Sequence, residues 1–247
     1  MKGGYLQDQP DWFNQRLSDG GPVYTETDPS QFIVEPWNAA SSLLIVLPAI
    51  YWLVVIRKEW RNYKFMLYAI PLMILGGTGS TLFHAFRASR FFLFMDFLPT
   101  AILTLSLSIY FWIKVLNRWW YVFFIIIPTF ALRFLLFGRL PSHMAINVSY
   151  TLTGVLIGLP LLILLFKTGF YKVTYVIVTI GLFIAAIIFR ELDSREIDFL
   201  YMGTHFLWHA FTGVGAWFVL AYLYEFRNRE LNAMSPTQNP KPNTQNF

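Results

Sequence analysis

Apolar residues run through this chain in long stretches that show neither the alternation of a half-buried strand nor the narrow stripe of a surface helix. Seven such stretches occur, at about 37–56, 65–86, 91–115, 119–138, 143–166, 171–190 and 201–225. A helix crossing the hydrocarbon of a bilayer needs roughly 20 apolar residues, and each stretch meets that length. The segments between them are mostly short. None of them is long enough for a second folded domain. The pattern predicts an all-α integral membrane protein, a bundle of seven transmembrane helices over 37–225. An acidic segment, 1–36, precedes the bundle. A tail, 226–247, rich in Pro, Asn and Gln, is expected to be disordered.

Composition agrees with a lipid environment. Hydrophobic residues make up 56% of the 247, and charged residues only 13%. Soluble domains carry about 25% charged residues, so this chain has too little charge to coat a surface facing water. Residues 1–30 are polar, with Pro and Gly and no apolar core, so no secretory leader is expected and the first span takes over targeting. The net charge of +5 does not call for a nucleic-acid partner, because basic residues gather on cytoplasmic loops. With the N-terminus outside or lumenal, 11 loop Lys and Arg fall inside and 7 outside. The densest cluster, Arg57, Lys58, Arg61 and Lys64, lies inside under this assignment. The tail is then cytoplasmic, and most acids, from Asp8 to Glu35 and from Glu191 to Asp198, face outward.

Cysteine is absent, which excludes disulfides and thiolate metal sites. A transition metal here must be held by His, Asp or Glu. His205 and His209 stand at i and i+4 in GTHFLWHAF (203–211), so both imidazoles project from one face of span seven, one turn apart. His84 lies near the end of span two, in GSTLFHAF (79–86). Spans two and seven run in opposite senses, so all three histidines fall at one depth near the outer side. Three imidazoles with an open fourth position make the catalytic type of zinc site. Asp96, near the start of span three, reaches the same layer, and Ser80 shares a helix face with His84. Ionisable groups inside a membrane are costly and usually functional. His143 has no partner at useful spacing and is expected at the interface, while Arg133 within span four is expected to pair inside the bundle or snorkel. Asn147-Val148-Ser149 fits a glycosylation pattern but lies within a span and is set aside.

Four segments, EPWNAASSL (35–43), GSTLFHAF (79–86), MDFLPT (95–100) and GTHFLWHAFTG (203–213), together make the chain resemble the alkaline ceramidases. These belong to a wider group of seven-span hydrolase-like proteins that includes the adiponectin and progestin receptors. The Ser-x-x-x-His, Asp and His-x-x-x-His elements mark the wider group, and Glu35-x-x-Asn38 points to the ceramidase branch. The resemblance implies zinc on His84, His205 and His209. It implies a catalytic pair, Ser80 and Asp96, with Asp96 against the zinc-bound water. It implies cleavage of the amide of ceramide, or of a related N-acyl lipid, to a sphingoid base and a fatty acid. It also implies calcium on the N-terminal segment, with Glu26, Asp28 and Glu35 as the matching carboxylates. The family's leading Asp falls on Val23 here, with Asp19 or Asp11-Trp12 as stand-ins. The partner is thus a membrane lipid. The alternative within the wider group is a receptor or signalling protein with a structural zinc. A haem carrier fits poorly, since His205 and His209 share one helix.

Overall fold

The computed structural model describes residues 17–137, 139–140, 142–194 and 200–234. Seven α-helices follow in order: α1 (Pro36–Ile56), α2 (Lys64–Phe86), α3 (Arg90–Val115), α4 (Phe123–Phe137), α5 (Ser142–Lys167), α6 (Val173–Leu192) and α7 (His205–Met234). A 3-10 turn, Trp119–Val122, leads into α4. Among the described residues there is no β-sheet. All seven spans are long and apolar enough to cross a membrane.

Proline stands inside α1 to α5, at Pro48, Pro71, Pro99, Pro128 and Pro160. Neighbouring helices and local adjustments re-satisfy the freed carbonyls in such spans, so the helices persist. Many large apolar side chains stay exposed, Leu47, Phe124, Phe134 and Phe166 among them, as a lipid solvent requires. The interior is closed by Trp52, Ile56, Met66, Ile70, Phe111, Leu161, Tyr222 and Leu223. This core fills the half of the bundle remote from the histidines.

Small residues set the spacing where the histidine-bearing end is built. A Cβ on Gly79 of α2 would lie 2.3 Å from the Met95 carbonyl oxygen of α3. On Gly213 of α7 it would lie 2.5 Å from the Leu44 carbonyl oxygen of α1. Backbones meet at these points, a contact that small residues permit between membrane helices.

The expected tail boundary moves. α7 does not stop at 225 but runs to Met234, a length of about 45 Å at 1.5 Å per residue, more than the hydrocarbon needs. Its last turns are polar and find partners on other elements. Lys114 Nζ meets Glu230 at 2.6 Å, Tyr63 Oη donates to Asn228 Oδ1 at 2.5 Å, and Arg227 Nε donates to the Asn62 carbonyl at 2.8 Å. Residues 226–234 are therefore helix, not free tail. Residues 235–247 lie outside the described residues.

Candidate metal centre

His84 ends α2 and His205 opens α7, so the two helices bring their histidines together at one end of the bundle. His209 follows one turn into α7. All three are buried. One ring nitrogen from each lies within 4.8 Å of the others. His84 Nε2 and His209 Nε2 are 3.2 Å apart. In a tetrahedral site with Zn–N near 2.05 Å, two ligand nitrogens stand about 3.3 Å apart, so this edge has the right length for a shared ion. The buried Nδ1 of His205 has no hydrogen-bond partner. Buried polar atoms are rarely left unpaired. Such a donor set fits a divalent transition metal.

The surroundings fix each ring. His84 Nδ1 is bonded to the Glu35 carboxylate, which leaves Nε2 facing the other two histidines. A carboxylate behind an imidazole sets its tautomer and raises its basicity as a ligand. Glu35 is held there by the backbone: Val34 N–H donates to the Ala85 carbonyl at 2.8 Å and Glu35 N–H to the His84 carbonyl at 3.1 Å. These bonds also satisfy carbonyls that the end of α2 would otherwise leave open. Arg87 closes α2 in the left-handed conformation, with φ 46°. Its guanidinium bonds Glu35 Oε1 and reaches Asp19 Oδ2 at 2.7 Å through Nε. Burial pushes the Glu35 carboxyl up, but His84 and Arg87 beside it win and hold it below the usual range.

On α7, Asp193 accepts from Thr204 N–H at 2.7 Å and His205 N–H at 2.9 Å. It caps the helix across the α6–α7 connection and so sets the position of His205. Burial raises the Asp193 carboxyl above its ordinary value, and the N–H groups of Thr204, His205 and Thr25 offset part of that. Gly203, at φ +65°, leaves room for the carboxylate: a Cβ there would lie 2.3 Å from Asp193 Oδ1. Tyr24 lays its ring on His205, with centroids 3.8 Å apart and planes 21° from parallel.

Ser80 and Asp96 stand next to this layer. Ser80 is buried, and its Oγ is 3.0 Å from Ser42 Oγ. Ser42 also donates to the Asn38 carbonyl at 2.8 Å, so when that bond is made Ser80 is the donor of the serine pair. The Asp96 carboxyl lies beside Ser80 and in the field of His84 and Arg190. Among the described residues the close-set ligand groups are the three histidines, and Asp96 is not one of them.

The carboxylates expected on calcium have the following partners in the structure. Glu26 caps α1, accepting from Asn38 N–H at 2.9 Å and from Trp37 N–H. Burial raises its carboxyl and those two N–H groups pull it back in part. Asp28 is exposed and bonds Ser30, which lowers its carboxyl. Glu35 serves His84 and Arg87. Among the described residues the only group of three or more His, Asp or Glu close enough to share an ion is the histidine triad. Helix capping, a surface turn and the His84–Arg87 network engage these three carboxylates in the structure. Val23 is not in this network, and Asp19 is, as the partner of Arg87. Asp11 lies outside the described residues.

Arg133 pairs inside the bundle, donating to the Ser149 carbonyl at 2.8 Å. Asn147 of the rejected glycosylation pattern is bonded to Glu191 and Arg190 between helices. Arg87, Asp193, Tyr24 and Arg190 were not among the predicted site residues. No protein-family model matches the chain, and no curated protein matches it.

Proposed function

We propose that the protein is an intramembrane zinc-dependent amide hydrolase that cleaves ceramide, or a related N-acyl lipid, to a sphingoid base and a free fatty acid. The observation that carries this reading is the buried convergence of His84, His205 and His209, with a serine and an aspartate beside them. Closed structural zinc sites use four protein ligands, whereas three leave a position for water or substrate. The motifs that resemble the alkaline ceramidases supply the lipid class. The loop-charge bias supports an N-terminus on the outer or lumenal side, which puts the centre near that face.

Zinc bound to the three imidazoles would polarise an amide carbonyl and bring the pKa of water toward about 7. The side chains divide the remaining work. Glu35 keeps His84 in the tautomer that offers Nε2. Asp96 takes the proton of the attacking water and passes it to the leaving amine, a role for which its place beside the triad suits it. Ser80, turning its proton from Ser42, donates a hydrogen bond to the carbonyl oxygen as charge develops there. The burial of the triad keeps bulk water away from the reacting atoms, which strengthens each of these contacts.

The test is release of fatty acid from a panel of N-acyl lipids by the purified protein in detergent. The wild type should release it from ceramide. His205→Ala should abolish release together with metal binding. Asp96→Asn should keep the metal and lose about 10²–10⁴ in rate, the usual contribution of a positioned acid-base group. A wild type that binds zinc but cleaves no N-acyl lipid would favour the receptor-type alternative.

A further inference from the structure

Arg190 is a charged side chain at the end of α6 that the proposed chemistry leaves unused. It is half-buried at the histidine end of the bundle. Among the described residues it makes no ion pair. Its hydrogen-bond and ring partners are neutral, with the carboxylates of Asp193 and Asp96 in its field. Nε donates to Asn147 Oδ1 at 2.9 Å. The guanidinium lies 5.1 Å from the Tyr150 ring centroid and 5.5 Å from that of Trp208. The hydroxyl of Tyr24 sits beside it. Since the Tyr24 ring stacks on His205, the guanidinium stands one phenol ring away from the triad.

We propose that Arg190 is a recognition point for the carboxylate of a long-chain lipid lying beside the histidine triad. The inference rests on the reading of the triad as a centre that handles lipid amides. A charge at this depth is costly and is retained where something offsets it. Asn147 and the two aromatic faces orient the guanidinium, and Nε is already spent on Asn147. The terminal nitrogens form a flat fork that matches a planar, singly charged carboxylate. The spacing of one phenol ring suits two sources. One is an N-acyl amino acid, whose carboxylate lies two bonds beyond the amide nitrogen. The other is the fatty acid set free by hydrolysis.

Binding of palmitate and of hexadecanol to the purified, metal-loaded protein in detergent reads the subsite without turnover. The wild type should prefer palmitate by at least about tenfold, in line with a charge-assisted hydrogen bond. Arg190→Gln should lose the preference and Arg190→Lys should keep part of it. Equal binding of the two by the wild type overturns the proposal, whatever the variants do. So does a preference that survives Arg190→Gln, which would place the carboxylate on the metal instead. Hydrolysis then separates the sources. Faster cleavage of N-palmitoylglycine than of N-palmitoylethanolamine, equalised in Arg190→Gln, puts the carboxylate on the substrate. Equal cleavage, with palmitate inhibiting the wild type more than the variant, puts it on the product. If neither amide is cleaved, the hydrolase reading fails while the palmitate comparison still decides the subsite.

Discussion

Glu35→Gln removes one charge and almost no volume, and the structure says what it does. Oε1 faces the Thr27 hydroxyl, at 2.6 Å, and Arg87 NH1. Oε2 faces His84 Nδ1 and the Asn38 amide, the latter at 3.3 Å. Both oxygens are thus met by donors, and a glutamine amide must set its NH2 against two of them in either orientation. Breaking a buried charged pair from one side costs about 3–5 kcal/mol. Two charge-assisted bonds at about 1.5–3 kcal/mol each give an overlapping range, about 3–6 kcal/mol. Arg87 keeps both of its bonds to Asp19, so the N-terminal segment stays anchored. The metal effect is separate: His84 loses the carboxylate behind it, and zinc affinity should fall by about 10–100-fold. Competition against a chromophoric chelator measures the affinity, and denaturant unfolding of the same preparation measures the stability. A Glu35→Gln protein that binds zinc as tightly as the wild type refutes the assignment of Glu35 to the metal centre.

Two further outcomes are expected. Gly79→Ala drives a Cβ to 2.3 Å from the Met95 carbonyl oxygen, so α2 and α3 must part and carry Asp96 away from Ser80; it should lose about 1–3 kcal/mol and most of the hydrolysis. Gly158→Ala, with nothing within 4 Å of the added atom, should be neutral or stabilising by the same denaturant unfolding measurement.

Much of the frame was legible in the sequence because a bilayer imposes length and composition on each span. The same argument missed the end of α7. The polar run from Arg227 to Glu230 reads as tail by hydropathy, yet it is helical because Tyr63, Lys114 and Asn62 on other elements bind it. The triad was legible because helix direction and i, i+4 spacing fix its depth. Its supports were not. Glu35 and His84 are 49 residues apart and meet through a loop pairing with the end of α2, which no periodicity encodes. Acidic residues in a loop look alike on paper, and only the fold shows that Glu26 caps a helix, Asp28 holds a surface turn and Glu35 backs an imidazole. Arg190 read as a loop charge for orientation, because only the packing of α5, α6 and α7 shows that it turns inward. Asp193 escaped for a related reason, since its role as a cap depends on the turn at Gly203.

The central claim is that His84, His205 and His209 hold one zinc ion. Elemental analysis of the purified protein tests it directly, with the wild type set against a variant in which all three are alanine. A stoichiometric zinc in the wild type and none in the variant is the predicted result. A wild type that carries no metal after supply of zinc, or a variant that retains it, would contradict the account.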